Sequence, residues 1–361
     1  MSRWLALCSL LIMASCSDST AGNPTPAPPP SAKTPACTLP AMGWTGLNPE
    51  VQGGFIDTAT GVFTADPQSV MVLDGATGLY RTPSRPYLSG TPGDRTLASR
   101  SFDFRFHRWL PVPPQYVSED GSTYAYYAYD PSGHGSVHLV DVASGTNRTV
   151  PGTIGPSPTA HYLVAGYLRG GVYLTQWGPT GGPGLGLWRL DIASGAVTLV
   201  SIDAQAMGVF VGATPLQSPP TIEYPDAWWT TESWDPSASS DPYVYFQYLT
   251  GVAGQRAVDW FKRPGSRMNV VGVDAHGHAV VLAQSSSGVE LWLLSTPNSA
   301  KQIHSATNGG SSDLPYKTAV ADRGGWWIGS GTGVFFATTT AFTQVSRTPS
   351  VVVGGCSVNT V

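Results

Sequence analysis

Lysine is nearly missing from this sequence, with 4 Lys beside 15 Arg, and charged residues of all kinds reach only 12%. No basic run exceeds Lys262-Arg263, and the net charge is −4. An electrostatic footprint for nucleic acid or for an anionic membrane surface is therefore excluded. Long apolar runs are also absent, since the longest, Trp4 to Met13, has about ten residues against the roughly 20 a membrane-spanning helix needs. Uninterrupted helix-forming stretches are missing too. The 42 Gly and 31 Pro make up about a fifth of 361 residues, a density that excludes long helices, coiled coils and helical solenoids. Gly does not recur at every third position, so a collagen-like chain is excluded as well. Pervasive disorder is not the remainder, because 41% hydrophobic residues and 12 Trp can build a substantial core. What is left is a turn-rich, mostly β chain.

Residues 1–15 read as a signal peptide, with Arg3 as the positive n-region and Trp4 to Met13 as its apolar core. The sequence Met13-Ala14-Ser15-Cys16 resembles the lipobox of bacterial lipoproteins, with Met13 where Leu is usual. The resemblance implies that Cys16 is lipidated and becomes the mature N-terminus; an ordinary secretory signal is the alternative. Residues 16–36 carry this Cys and a tether with six Pro and almost no large apolar group. Such a segment stays extended, about 3.1 Å per residue, and spans a headgroup layer. The globular domain is then 37–361. Lipid, spacer and domain in series describe a protein of the extracytoplasmic cell envelope, on its periplasmic or cell-surface side.

Two cysteines remain after Cys8 and Cys16, and they stand at opposite ends of the domain. In an oxidising compartment Cys37 and Cys356 are expected to form one disulfide, two unrelated thiols being the alternative.

Internal similarity organises the domain. Val137-His-Leu-Val-Asp-Val-Ala-Ser-Gly145 and Leu187-Trp-Arg-Leu-Asp-Ile-Ala-Ser-Gly195 are two copies of a strand ending in Asp-x-Ala-Ser-Gly. Ser-Gly between β-rich runs marks a hairpin. Upstream turns fall at Gly121, Gly171, Gly277 and Gly324, with a weaker one expected near 224 and Asp74-Gly75 extending the series backward. The interval is about fifty residues and holds four short strands, the period of a β-propeller blade. The expectation is an all-β propeller of seven four-stranded blades, six being possible, with its ring closed near the chain ends, where Cys37 and Cys356 would meet. A β-sandwich or β-helix is the structural alternative.

The Ser118-x-Asp120-Gly121 turn, the aromatic strand after it, Val137 to Asp141 and Ala143-Ser144-Gly145 resemble the TolB-like blades of bacterial periplasmic propellers. That resemblance implies a propeller used for protein contacts and carries no catalytic residues across. Trp234-Asp235 lacks the Gly-His partner of a Trp-Asp repeat, and Asp120-Gly121 lacks the residue that the Asp box of sialidase propellers places between Asp and Gly.

Chemistry is sparse. No Gly-x-Ser-x-Gly elbow, phosphate loop or EF-hand spacing occurs in the domain. His276-Gly277-His278 reads as a hairpin turn, and His134 with His138 lacks the further ligands of a zinc set. Neither a metal nor a cofactor is expected. Phe102 to Trp109 alternates with period two and reads as a structural strand, and Trp326-Trp327 splits between two faces. The richest segment is 222–249, where Glu223, Asp226, Glu232 and Asp235 stand among Tyr224, Trp228, Trp229 and Trp234. Aromatic faces beside carboxylates suit sugar rings or cationic side chains. Blade-strand packing is the plainer reading of the same residues.

These features point to a monomeric envelope lipoprotein whose propeller binds a protein or glycan partner without chemistry of its own. Its membrane contact is through the lipid, and no nucleic acid is involved. Two other readings stay open: a glycan-active hydrolase or lyase using carboxylates in 223–241, and an envelope assembly factor.

Overall fold

The computed structural model describes residues 34–43, 52–70, 72–73, 80–81, 100–129, 134–151, 161–177, 186–201, 210–212, 226–231, 243–249, 258–263, 266–274, 278–296, 299–307 and 316–356. The signal-peptide and lipid-anchor expectations, Cys16 included, lie outside them.

The described residues form antiparallel sheets and short 3-10 turns. Five sheets have four strands each. Blade 1 combines Ser350–Val352 from the end of the chain with Thr38–Gly43, Gly53–Asp57 and Phe63–Ala65 from near its start. Blade 2 is His161–Leu168, Gly171–Trp177, Leu187–Asp191 and Val197–Ser201; blade 3 is Phe210–Gly212, Asp226–Thr231, Tyr243–Leu249 and Val258–Lys262. Blade 4 is Arg267–Val273, Ala279–Gln284, Gly288–Thr296 and Ser299–Thr307; blade 5 is Tyr316–Asp322, Gly325–Ser330, Gly333–Ala337 and Phe342–Ser346. First strands of successive blades pack against one another, so they form the hub, and the more exposed fourth strands form the rim.

The architecture is a β-propeller, and the blade number corrects the expectation: among the described residues the structure has five four-stranded blades, not seven or six. The deficit lies between Ala65 and Thr149. There the chain makes two-stranded ladders (Val72–Leu73 with Tyr80–Arg81, Ser101–Asp103 with Arg108–Leu110) and one three-stranded sheet, Thr123–Tyr129, Gly135–Asp141 and Asn147–Thr149. Proline contributes there. Both 3-10 turns among the described residues of this stretch, Pro67–Ser69 and Pro114–Tyr116, begin with Pro, which fixes φ and offers no ladder donor. Ahead of Thr123, a single bridge from Val117 to Tyr124 stands where a fourth strand would run. Asp74-Gly75 lies outside the described residues. Phe102 to Trp109 is not one strand either. It is a hairpin whose turn carries a left-handed His107, φ 47°.

That hairpin nevertheless joins the ring. Phe102 and Trp109 pack on Phe55 and Met42 of blade 1, and Trp109 Nε1 donates to Asp66 Oδ2 at 2.8 Å. On its other side Arg108 Nη1 donates to the carbonyls of Val142 and Ala143, both at 2.7 Å, at the edge of the three-stranded sheet.

Strand alternation explains why the blades stack. In blade 4, Val270 and Val281 pack toward Phe261 of blade 3, whereas Val271, Val280 and Leu282 pack toward Trp326 and Ile328 of blade 5. The run Ala279–Ala283 is buried throughout because both faces of its sheet are covered. Trp326 and Trp327 split as expected: Trp326 faces blade 4, and Trp327 lies with Leu39, Ala41 and Ile56 of blade 1. Each fully buried aliphatic side chain contributes about 1.5–3 kcal/mol by this stacking.

The ring closes in blade 1. Ala41, Met42 and Gly43 pair with Val352, Val351 and Ser350, and Cys37 is disulfide-bonded to Cys356 with Cα atoms 5.6 Å apart. Asp322 Oδ2 fastens the closure from blade 5, accepting from Cys356 N at 2.8 Å and from Trp327 Nε1 at 3.0 Å.

Candidate functional site

Meander topology gives the ring two unlike faces. In each blade the first-to-second and third-to-fourth connections share one face, here called the hairpin face. The second-to-third connections and the passages between blades share the other, the crossover face.

The hairpin face is built from tight turns. Asp141 Oδ1 accepts from Ser144 N and Oγ, both at 2.6 Å, and Asp191 Oδ1 accepts from Ser194 N at 2.9 Å and Oγ at 2.7 Å. Gly145 and Gly195 close these turns at φ 74° and 72°, and each donates its N–H to the Asp carbonyl at 2.8 Å. A third copy was not recognised in the sequence: Asp57-Thr-Ala-Thr-Gly61 has the same closing bond at 2.7 Å and a Gly at φ 73°. Admitting Thr for Ser in Asp-x-Ala-Ser-Gly would have found it. The serine hydrogen bonds hold the Asp141 and Asp191 carboxyls below the usual carboxylate range. The hydroxyl of Ser118 leads the contacts that bring Asp120 down to about 2. All three are solvated turn carboxylates. The two-residue turns at Arg169-Gly170 and Arg323-Gly324 have positive φ at both positions, which makes Gly170, not Gly171, the turn glycine of its hairpin.

His278 and His138 are held by neighbouring side chains. His278 Nδ1 lies 2.8 Å from Asp274 Oδ2, and its N–H donates to Asp274 Oδ1 at 2.8 Å, a side-chain-braced turn between two strands of blade 4. His276 lies outside the described residues. His138 stacks on Tyr126 at 4.8 Å and meets Ser136 Oγ at 3.0 Å, and burial lowers its pKa. Among the described residues no group of three or more His, Cys, Asp or Glu is placed to hold a metal ion.

Of the carboxylates and aromatics singled out in 222–249, Asp226, Trp228 and Trp229 fall on the second strand of blade 3. There Asp226 pairs with Leu249, Trp228 with Val211 and Gln247, and Trp229 with Phe210 and Phe246. Glu223, Tyr224, Glu232, Trp234 and Asp235 lie outside the described residues, as does the weak turn near 224. The strand Asp226–Thr231 is about 17 Å long, so the chain enters it on the hairpin face and leaves it on the crossover face.

The crossover face carries a described polar–aromatic cluster that sequence inspection missed. Arg263 follows the rim strand of blade 3, and Glu290 and Trp292 lie on the third strand of blade 4. Arg263 Nε donates to Glu290 Oε2 at 2.7 Å and Nη2 to Oε1 at 2.6 Å, and Trp292 Nε1 donates to Oε2 at 3.0 Å. The guanidinium lies 5.3 Å from the centre of the Trp292 ring, which Phe261 buttresses at 5.1 Å. Side-chain exposure is 41% for Arg263 and 24% for Glu290, so the pair is open to solvent. Hydrogen bonding from Arg263 lowers the Glu290 pKa and raises that of Arg263, keeping both ionised. Only their separation in sequence hid them: Arg263 and Glu290 are 27 positions apart and meet through the stacking of two blades.

No family model matches the chain, and no curated protein matches it in sequence. Among solved structures it is similar to TolB from Acinetobacter baumannii, at 11% identity and a TM-score of 0.38 over 88% of this chain and 67% of that one. It is also similar to the Dos1 propeller, at 11% identity and 0.45 over 89% and 87%. A third is an oligogalacturonate lyase from Vibrio parahaemolyticus, at 7% identity and 0.44, of whose length this chain spans 64%. The propeller assignment itself rests on the sheet order described above.

Proposed function

We propose that this chain is an envelope-anchored lipoprotein whose propeller binds a protein or glycan partner and performs no chemistry. The observation that carries the reading is the Cys37–Cys356 disulfide, which fits an oxidising, extracytoplasmic compartment and accords with the signal-like leader. Met13-Ala-Ser-Cys16 and the Pro-rich stretch after it supply the anchor and the spacer. The propeller offers partner contact through its crossover face, where an ion pair and an indole meet solvent together. Among the described residues whose side-chain burial is given, Val62 is the only exposed large hydrophobic.

Mass spectrometry of the mature N-terminus tests the anchor: a diacylated or triacylated Cys16 is expected, and an unmodified terminus removes it. Pull-down from envelope extracts and glycan binding with the purified protein test the partner, and the absence of any ligand in both removes the binding role.

The glycan-active alternative needs two carboxylates at a working separation, about 5–9 Å. Carboxylates joined to opposite ends of Asp226–Thr231 do not meet that spacing across a 17 Å strand, roughly three times the shorter distance. The pairs left are Glu223 with Asp226, and Glu232 with Asp235. Amide replacement of both pairs, with turnover screened on envelope polysaccharides, separates this reading from the binding role.

A further inference from the structure

Arginine presents two hydrogen-bonding edges. A side-on edge is formed by Nε and one Nη, and an end-on edge is formed by the outer N–H groups of both Nη atoms. Glu290 occupies the side-on edge of Arg263 through Nε and Nη2. Its end-on edge meets no acceptor among the described residues, and the side chain is 41% exposed. The guanidinium lies 5.3 Å from the centre of the Trp292 ring, whose own N–H is tied to Glu290, so the three groups brace one another. The result is a charged, planar donor pair, oriented before any ligand arrives and presented on the crossover face at the junction of blades 3 and 4.

We propose that this end-on edge of Arg263 is a recognition site for the carboxylate of an acidic sugar. The inference rests on the binding role proposed above and names the class of ligand. Planar bidentate pairing with a carboxylate is what a pre-set guanidinium edge does best, and pre-orientation removes the entropic cost of ordering a long side chain on binding. Glu290 cancels the formal charge of Arg263, and the chain as a whole carries −4, so polyanions are not drawn in by bulk attraction. Selection is by geometry. A glycan is favoured over an acidic protein because protein interfaces bury an apolar core, and among the described residues whose side-chain burial is given Val62 is the only exposed large hydrophobic.

The plain alternative is that Arg263 and Glu290 only clamp two blades together, and two variants separate the roles. The intact protein is probed with oligosaccharides of alginate, hyaluronan and heparosan, each beside its carboxyl-reduced counterpart, followed by calorimetric titration of the best binder. Binding of a carboxylated member with loss on carboxyl reduction is expected. Arg263→Gln is expected to weaken it at least tenfold, and Glu290→Gln, which keeps one acceptor for the guanidinium and turns the other into a donor, to weaken it by a smaller factor as the preset orientation is partly lost. A pure clamp lowers the melting temperature in both variants and leaves affinity alone, which overturns the proposal. Equal binding of reduced and unreduced sugars overturns it too. Capture of a protein partner with no uronate binding sinks this inference and leaves the binding role standing; silence toward proteins and glycans alike sinks both.

Discussion

The Cys37–Cys356 bond should act on the unfolded chain far more than on the folded ring. Its sequence separation is 319 residues. In the chain-entropy description a loop of that length confers about 5 kcal/mol by restricting the unfolded ensemble. The folded ring keeps other closures when the bond is cut. Three ladder pairs join Ala41–Gly43 to Ser350–Val352, Val353 N donates to Pro40 O at 3.2 Å, and Asp322 still holds Cys356 N. Leu39, Ala41 and Ile56 also remain packed on Trp327 and Phe336. A Cys37→Ser, Cys356→Ser protein is therefore expected to keep its near-UV circular dichroism at 25 °C while losing stability.

The size of the loss follows from the unfolding entropy. At about 2.1 cal/mol/K per residue, a domain of this length has an unfolding entropy near its midpoint of about 0.7 kcal/mol/K. Dividing the disulfide contribution by this gives a fall of about 7 °C in the melting midpoint. Urea unfolding should show the same loss with a steeper dependence on denaturant, because the uncrosslinked unfolded chain exposes more surface. Calorimetry of the oxidised protein, the reduced protein and the double variant checks this. A midpoint unchanged within about 2 °C refutes the entropic reasoning, since the expected shift is several times larger. Loss of the native spectrum at 25 °C refutes the claim that the ladder and the Trp327 contacts hold the ring unaided.

Leu282→Ala, in the fully buried strand between blades 4 and 5, should cost about 2–5 kcal/mol by equilibrium unfolding, and a cost under about 1 kcal/mol would mean that the blades repack there. Gly272→Ala should be among the worst single substitutions in the hub, because a Cβ there runs into the Ala319 carbonyl of blade 5; wild-type stability of that variant would show that the inner strands are less closely seated. Trp327→Phe removes the indole N–H from Asp322 inside a closed core, and about 1–3 kcal/mol should be lost, the larger share falling away in an Asp322→Asn background. Acid should destabilise the protein as pH falls from about 4 toward 2. Asp120, Asp141 and Asp191 have carboxyls depressed in the folded state, so their contribution is complete above the unfolded carboxylate value and is lost as pH drops through the folded ones. Denaturant midpoints measured across that range should flatten in an Asp120→Asn, Asp141→Asn, Asp191→Asn triple variant, and an unaltered acid limb would locate the effect elsewhere.

What was legible in the sequence follows how local each determinant is. Asp-x-Ala-Ser-Gly announced its hairpins because Asp, Ser and Gly act within five consecutive residues, and the turn at Asp141–Gly145 is closed by those same residues. The disulfide was legible because Cys37 and Cys356 stand at opposite ends of the domain and a propeller brings its ends together. The blade count was not, because the period near fifty residues records turn glycines and not whether the strands between them find ladder partners. Pro67 and Pro114 start 3-10 turns in the stretch where the described strands fall short of four per blade. The crossover-face cluster was hidden for the opposite reason. Arg263 stands beside Lys262 in sequence, a pair of surface cations by any local reading, and Trp292 alternates as an ordinary strand residue. Only the packing of blade 3 against blade 4 sets the guanidinium on the indole and the carboxylate against both. Propeller binding surfaces are assembled in this way from neighbouring blades, each contributing a residue or two from strand ends. Segment-by-segment reading therefore favours rich stretches such as 222–249 over dispersed sets such as Arg263, Glu290 and Trp292. Two variants at Arg263 and Glu290 weigh the dispersed set directly, and Glu232 with Asp235 weighs the rich one, so the two readings can be told apart in one binding experiment.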